Sequence, residues 1–348
     1  MLRCFYPIEP KYQVWEPNLH HTFLPDSTIF YGISGPAEFT INKDGLRGEV
    51  FNKRKINYIT LGGSTTECLY LDDTETWQHH LSTQTGYGIA SMGKSGCTLY
   101  ENYLHLKYAV SQFSELKGIV VMAGLNDMYK RLAHGTLHDQ QFPLSTSVED
   151  SVVKQIFWSD VIHKEVWWRR SAIFRLVSKV YHQNKQVPWT SVQDDTGENY
   201  RGWRAKRQNA LLIDSLPDFG SALKEFSILL DSCYQQCKQQ NLQLILVTQA
   251  TLYKDSMPDF ETRLLWMGGR GNFMNEQIDA YYSPKALLEA AEAYNDVLRN
   301  FFIRYEHVKL IDLAAQLPKD TSVFYDDCHF NESGARKVAA ILSNGLKH

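Results

Sequence analysis

Five times the chain runs through a short stretch of consecutive apolar, often β-branched residues, and between these stretches its apolar residues recur at helical spacing. The five runs are Tyr58-Ile59-Thr60-Leu61, Tyr87-Gly88-Ile89-Ala90-Ser91-Met92, Gly118-Ile119-Val120-Val121-Met122-Ala123, Leu242 to Thr248 and Val308 to Leu313. The first three stop at glycine: Gly62-Gly63, Gly93 and Gly124. Runs of this kind, without polar alternation, read as strands buried on both faces, and a strand of that sort needs helices above and below it. The intervening segments supply them. The clearest places Ala222, Phe226, Leu229, Leu230, Cys233 and Cys237 at i, i+4, i+7, i+8, i+11 and i+15. Others run through Trp77 to Leu81, Tyr100 to Phe113, Leu287 to Phe301, and Ala335 to Leu346 with Asn331 as N-cap. The pattern predicts an α/β protein, a three-layer α/β/α sandwich on a five-stranded parallel sheet.

Residues 1–55 hold Pro7, Pro10, Pro17, Pro25 and Pro36 and are expected to form an N-terminal arm lying on the main domain, 56–348. The arm's one regular feature is a predicted hairpin, in which 38–42 and 46–51 flank Lys43-Asp44-Gly45. Residues 128–220 break the strand rhythm and contain five of the eight tryptophans, Trp158, Trp167, Trp168, Trp189 and Trp203. They read as an insertion covering the site, with one helix through Ile162, Val166, Ile173, Phe174, Val177 and Tyr181. A long loop is expected through Gly268-Gly269-Arg270-Gly271.

A net charge of −3 offers no electrostatic footprint for nucleic acid, and no stretch reaches the ~18 apolar residues of a membrane span. The first residues lack a signal peptide's apolar core, so the expected compartment is the cytoplasm, or the periplasm or exterior if a leader was removed. The six cysteines form no Cys-x-x-Cys pair and read as free thiols in a reducing compartment. Nothing in the sequence speaks to oligomeric state.

Polar residues gather at the strand ends. Ser64 closes the first run, Gly96 follows the second, Asn126 follows the third, and Asp326 and His329 lie in Phe324-Tyr325-Asp326-Asp327-Cys328-His329-Phe330. Open parallel sheets build their sites at this edge. A serine hydroxyl attacking a carbonyl needs a base near neutral pH, which His329 can supply, and a carboxylate to orient the base, for which Asp326 is first choice and Asp327 second. The Ser64 and Gly96 amides with the Asn126 side chain are the expected oxyanion donors. No cofactor or metal is expected: in His20-His21 and His79-His80 adjacent side chains diverge, and no Cys/His cluster completes a site. Cys68, Cys97 and Cys328 read as core packing, and Lys94 and Arg270 as candidate substrate contacts.

These blocks resemble those of the SGNH (GDSL-like) hydrolases, a superfamily of serine esterases, lipases, thioesterases and carbohydrate deacetylases. Gly62-Gly63-Ser64-Thr65 is similar to its first block, Ser95-Gly96-Cys97-Thr98 to its second, Gly124-Leu125-Asn126-Asp127 to its third and Asp326-Asp327-Cys328-His329 to its fifth. The resemblance covers roughly 56–127 and 221–346 and implies a flavodoxin-like strand order. It also implies Ser64 as nucleophile, His329 as base, Asp326 as its partner, and Ser64, Gly96 and Asn126 as the oxyanion hole. Two positions depart from the family pattern: Gly63 stands where an aspartate is usual and Glu67 where a glycine is usual. Asn42 to Gly48 and Glu75-Thr76-Trp77 resemble a bacterial subgroup associated with surface polysaccharides. The expected activity is ester hydrolysis through an acyl-serine, removing a short acyl group from a carbohydrate or glycoconjugate. The rival readings are a lipid esterase or thioesterase, an O-acyltransferase using the same serine, and a non-enzymatic carbohydrate-binding module.

Overall fold

A computed structural model describes residues 14–15, 18–48, 56–134, 195–272 and 277–347. The predicted helix over 162–181, four of the five insertion tryptophans and Cys4 lie outside them.

In chain order the strands are β1 (His20–Phe23), β2 (Ala37–Thr40), β3 (Ile56–Gly62), β4 (Gly88–Ser91), β5 (Gly118–Met122), β6 (Leu212–Ile213), β7 (Gln243–Val247), β8 (Gly269–Asn272), β9 (Gln277–Tyr282) and β10 (Val308–Ile311). The helices are α1 (Ser64–Glu67), α2 (Trp77–Thr85), α3 (Leu99–Gln112), α4 (Leu125–His134), α5 (Glu198–Gln208), α6 (Gly220–Gln239), α7 (Asp259–Thr262), α8 (Pro284–Arg304), α9 (Leu313–Gln316) and α10 (Glu332–Lys347). The five apolar runs form one parallel sheet in the order β4-β3-β5-β7-β10. Counted along the chain this is 2-1-3-4-5, the flavodoxin-like order. Helices α2 and α10 pack together, and α6 packs with both α3 and α8, which completes the three layers. Among the described residues no helix is long and apolar enough to cross a membrane.

Helix starts follow local chemistry. Ser283 caps α8 with its hydroxyl on the Ala286 N–H, 3.2 Å away, and Pro284 occupies the first position, where a missing N–H costs nothing. The Asn331 side-chain Oδ1 accepts the Gly334 N–H at 2.8 Å, so α10 is capped as its sequence predicts.

The hairpin pairs at its turn end, with the Asn42 N–H on Leu46 O at 2.9 Å, the Gly48 N–H on Thr40 O at 3.0 Å and Gly45 at a φ of 76°, and residues 49–51 of its expected second strand lie outside the described ones. It is not a lone pair of strands, because β2 also pairs with β1 and Arg47 bridges to Ser91 at the end of β4. Two expectations need correction. First, residues 128–134 belong to α4, which packs in the sandwich, so the insertion does not begin at 128, and its far end contains β6. Second, Gly268 to Gly271 is not a plain loop. β8 and β9 form an antiparallel pair, and β6 adds to β9 in parallel, making a second, three-stranded sheet.

The described part of the arm is built into the body. Phe30 is fully buried among Tyr70, Tyr200 and Tyr325, at ring-centroid separations of 4.3, 4.9 and 5.0 Å.

Candidate active site

The site begins where β3 runs out. Gly62 admits no side chain, since a Cβ would meet Thr66 Oγ1 at 2.1 Å and Met122 O at 2.6 Å. Ser64 then opens the single turn α1, in which the Thr66 and Glu67 amides bond to Gly63 O at 3.0 and 2.9 Å. A four-residue helix leaves its carbonyls without intrahelical partners. Here side chains from elsewhere take them up. Trp77 Nε1 donates to Thr65 O at 3.1 Å, Gln78 Nε2 to Thr66 O at 2.6 Å, and the buried Arg47 to the carbonyls of Glu67, Cys68 and Leu71. Arg47 Nε also meets Asp73 Oδ1 at 3.0 Å. The turn carrying Ser64 is therefore held on every side.

The segment 324–330 folds back on itself. Asp326 Oδ1 accepts the amides of Cys328 at 3.1 Å and His329 at 2.9 Å, a turn closed by its own side chain. That turn brings His329 Nδ1 to 2.7 Å from Asp326 Oδ2, and His329 Nε2 lies 2.7 Å from Ser64 Oγ. The carboxylate can only accept, so in the neutral imidazole Nδ1 carries the proton and Nε2 faces the serine hydroxyl as acceptor. Asp326 is 0 % exposed, and burial alone would raise its carboxyl. The His329 charge and hydrogen bond, with a 2.9 Å bond from the Trp266 indole, instead hold it below the ordinary value. Burial pulls His329 down, yet the Asp326 carboxylate outweighs it and holds the imidazolium well above the usual histidine range.

Asp327 does not take the orienting place. Its carboxylate accepts Tyr253 Oη and the Trp266 N–H, each at 2.8 Å, and so anchors the segment leading to β8. The buried Asp326, Cys328 and His329 are the one grouping among the described residues whose donor atoms could suit a metal, but His329 Nδ1 already faces Asp326.

Gly96 sits in the loop after β4 at a φ of 79°, a left-handed conformation that favours glycine. The same loop returns to β3 through the Lys94 N–H on Gly62 O at 3.2 Å. Asn126, in the first turn of α4, donates through Nδ2 to Cys97 O at 2.9 Å, leaving its second N–H for another acceptor. Gly63 explains how Asn126 comes so close. A Cβ there would lie 2.2 Å from Asn126 Nδ2, so the missing side chain is the space the amide occupies.

The structure brings Ser64, Asp326 and His329 into one chain of bonds and sets Asn126 and the Gly96 loop against the strand end beside them. It does not bring the two candidate substrate contacts there. Lys94 Nζ bonds Val14 O at 3.3 Å and lies 4.9 Å from the Trp15 ring, while Arg270 pairs with Asp279 across the β8–β9 ladder. Cys68, Cys97 and Cys328 are buried free thiols, and burial pushes Cys68 up to about 11, far from a reactive thiolate. Sequence reasoning missed Trp266, because many side chains with an N–H or O–H could serve Asp326 and a loop tryptophan carries no spacing signal. The nearby subgroup motifs did hint at the supports of α1, since Trp77 and Arg47 lie within them.

In class this is an Asp–His–Ser relay at the carboxyl edge of a doubly wound parallel sheet. Ser64 follows β3 and Asn126 follows β5, so the relay sits where the strand order reverses. No family model matches the chain, and no curated protein matches it. An alpha/beta hydrolase from the metagenome of Lake Arreo, Spain, is similar at 11% identity and a TM-score of 0.44, covering 84% of this chain and 95% of its own. The acetyl xylan esterase AlAXEase is similar at 13% identity and a TM-score of 0.41, covering 84% and 100%. The aryl esterase of M. smegmatis is similar at 11% identity and a TM-score of 0.39, covering 84% and 98%. Likeness at this level transfers no activity, and the chemistry has to be read from the side chains.

Proposed function

We propose that the chain is a serine hydrolase of the SGNH type that cleaves carboxylic esters through an acyl-serine intermediate. The observation that carries this reading is the continuous run Asp326 Oδ2, His329 Nδ1, His329 Nε2, Ser64 Oγ, with both gaps at 2.7 Å. In it His329 takes the Ser64 proton as the oxygen attacks the ester carbonyl, and Asp326 stabilises the resulting imidazolium. The negative charge passes to the carbonyl oxygen, where the Ser64 and Gly96 amides and Asn126 Nδ2 are the proposed donors. Collapse of this adduct expels the alcohol, protonated by His329, and leaves the acyl group on Ser64. Water, activated by the same imidazole, then releases the acid. All four blocks of the sequence resemblance point to the same assignment.

For the alcohol we propose a carbohydrate or glycoconjugate, with acetyl as the acyl group. The support is compositional: Trp158, Trp167, Trp168 and Trp189 cluster in the sequence between Asn126 and the acid–base segment, and indole faces suit the apolar faces of pyranose rings. The fifth, Trp203, is not part of that support, because it stacks on Trp266 at 4.7 Å.

A fluorophosphonate probe tests the mechanism: labelling of the wild type and loss of both labelling and ester turnover in Ser64→Ala are expected. An unlabelled but active wild type would overturn it. Acetylated sugars assayed beside p-nitrophenyl esters of rising chain length test the substrate, where a strong preference for long chains favours the lipid esterase or thioesterase. Product analysis with an added sugar acceptor separates hydrolysis from acyl transfer.

A further inference from the structure

We propose that Glu67 is a positioning residue that holds the Gly96 amide in place through Ser95; the proposal rests on the esterase reading above. Glu67 stands three residues after Ser64 in α1, so the turn that presents the nucleophile also carries this carboxylate on the same side. It is 1 % exposed. Its Oε2 accepts both the Ser95 N–H, at 3.1 Å, and the Ser95 hydroxyl. Ser95 itself is exposed and immediately precedes Gly96.

Two bonds hold the backbone on either side of Gly96: Ser95 N–H to Glu67, and Cys97 N–H to Lys94 O at 3.2 Å. Gly96 needs such help. It is exposed, nothing lies within 4 Å of where its Cβ would be, and a glycine has the widest backbone freedom of any residue. The loop and the turn also fit closely, since a Cβ on Gly93 would meet the Glu67 nitrogen at 2.5 Å.

A buried carboxylate near a developing oxyanion is costly on two counts, desolvation and like charge. The groups facing Glu67 offset these costs only in part: the Ser95 donors, the Arg47 guanidinium and Lys94 favour its charged form, and burial still holds its carboxyl above the ordinary value. A residue retained against those costs, bonded to an exposed loop rather than to the core, serves the loop. The family's glycine at this position has no side chain to do so.

The experiment compares wild type, Ser64→Ala, Glu67→Ala, Glu67→Gln and Ser95→Ala for hydrolysis of p-nitrophenyl acetate, with kcat and KM resolved, thermal midpoint, and fluorophosphonate labelling of Ser64. Removing an oxyanion donor outright costs about 10²- to 10³-fold in kcat, so loosening one is expected to cost about 10- to 100-fold in Glu67→Ala with KM nearly unchanged. Glu67→Gln keeps a carbonyl acceptor for the Ser95 N–H and is expected to recover most of that loss. Ser95→Ala deletes one of the two bonds at an exposed position and is expected to lower kcat several-fold at an unchanged thermal midpoint. Ser64-dependent labelling together with wild-type kcat in Glu67→Ala overturns this proposal alone. Should Glu67→Ala not fold, wild-type kcat in Ser95→Ala overturns it instead. A wild type that hydrolyses the ester without labelling, and a Ser64→Ala as active, overturn the esterase reading and this proposal with it.

Discussion

Gly63 and Asn126 compete for one volume, so the smallest substitution is expected to be costly. Gly63→Ala places a methyl group where the amide sits and should lower kcat about 10²- to 10³-fold, matching Asn126→Ala, with little change in KM. Gly63→Asp, which restores the family's usual residue, should do no better; steady-state kinetics with p-nitrophenyl acetate measures all three. The two neighbouring carboxylates separate in the same assay. Asp326→Asn takes away the group that fixes the His329 tautomer and should cost about 10⁴-fold in kcat, whereas Asp327→Asn loosens the Tyr253 and Trp266 contacts and should cost stability first. Because Asp326 holds His329 above the ordinary histidine value, kcat/KM should climb with pH through that raised value as the imidazole becomes neutral. In Asp326→Asn the residual activity should climb at lower pH, which a pH–rate profile shows. That Ser64, His329 and Asp326 would meet was legible in the sequence, because a serine relay admits few residue types and each closes or follows a strand. Trp266 was not, and Glu67 was visible only as a departure without a reason.

Among elements, the one-turn helix α1 depends most on its surroundings. Arg47 is 5 % exposed and supplies three of its neighbouring carbonyls as well as Asp73 Oδ1, so Arg47→Met leaves those carbonyls without their buried donor and Asp73 without its cation. The expected loss is about 3–5 kcal/mol, read by chemical denaturation. At the start of α3, Asp127 accepts the Leu99 N–H at 3.1 Å, and burial, opposed by that bond and reinforced by Glu101, pushes its carboxyl up to about 7. The unfolded chain releases this proton near pH ~3.9, so the folded state holds it across the window from there to about 7, and stability falls as pH rises through that window. Asp127→Asn keeps an acceptor for Leu99 but cannot titrate. Its advantage over wild type should grow between pH 5 and pH 8 in urea titrations. The main-sheet strands were readable because burial on both faces demands unbroken apolar runs. β6, β8 and β9 were not, since a two-residue strand and a glycine-rich one carry no alternation, and β6 meets β9 through Leu212 and Ile213 on Tyr281 and Tyr282, distant in sequence.

At the scale of the molecule, Arg204 on α5 ties three regions by donating to Ile29 O at 3.0 Å, Leu264 O at 3.1 Å and Tyr325 O at 3.0 Å. The arm, the segment before β8 and the acid–base segment thus share one buried cation. A chain starting at residue 56 loses Phe30 from its aromatic cluster and leaves Arg204 short of a partner, and should be recovered aggregated or with a markedly lower thermal midpoint than the full chain. The division into arm and body that composition suggests is therefore a division of sequence, because the two bury one core. The bond between His329 and Ser64 spans 265 residues. During synthesis the serine leaves the ribosome early, while the proposed base and the acid beside it follow only after the rest of the sheet has been made. Until then the hydroxyl is an ordinary alcohol, so on the proposed reading a growing or prematurely ended chain carries the nucleophile in a latent form, and reactivity arrives together with a finished fold.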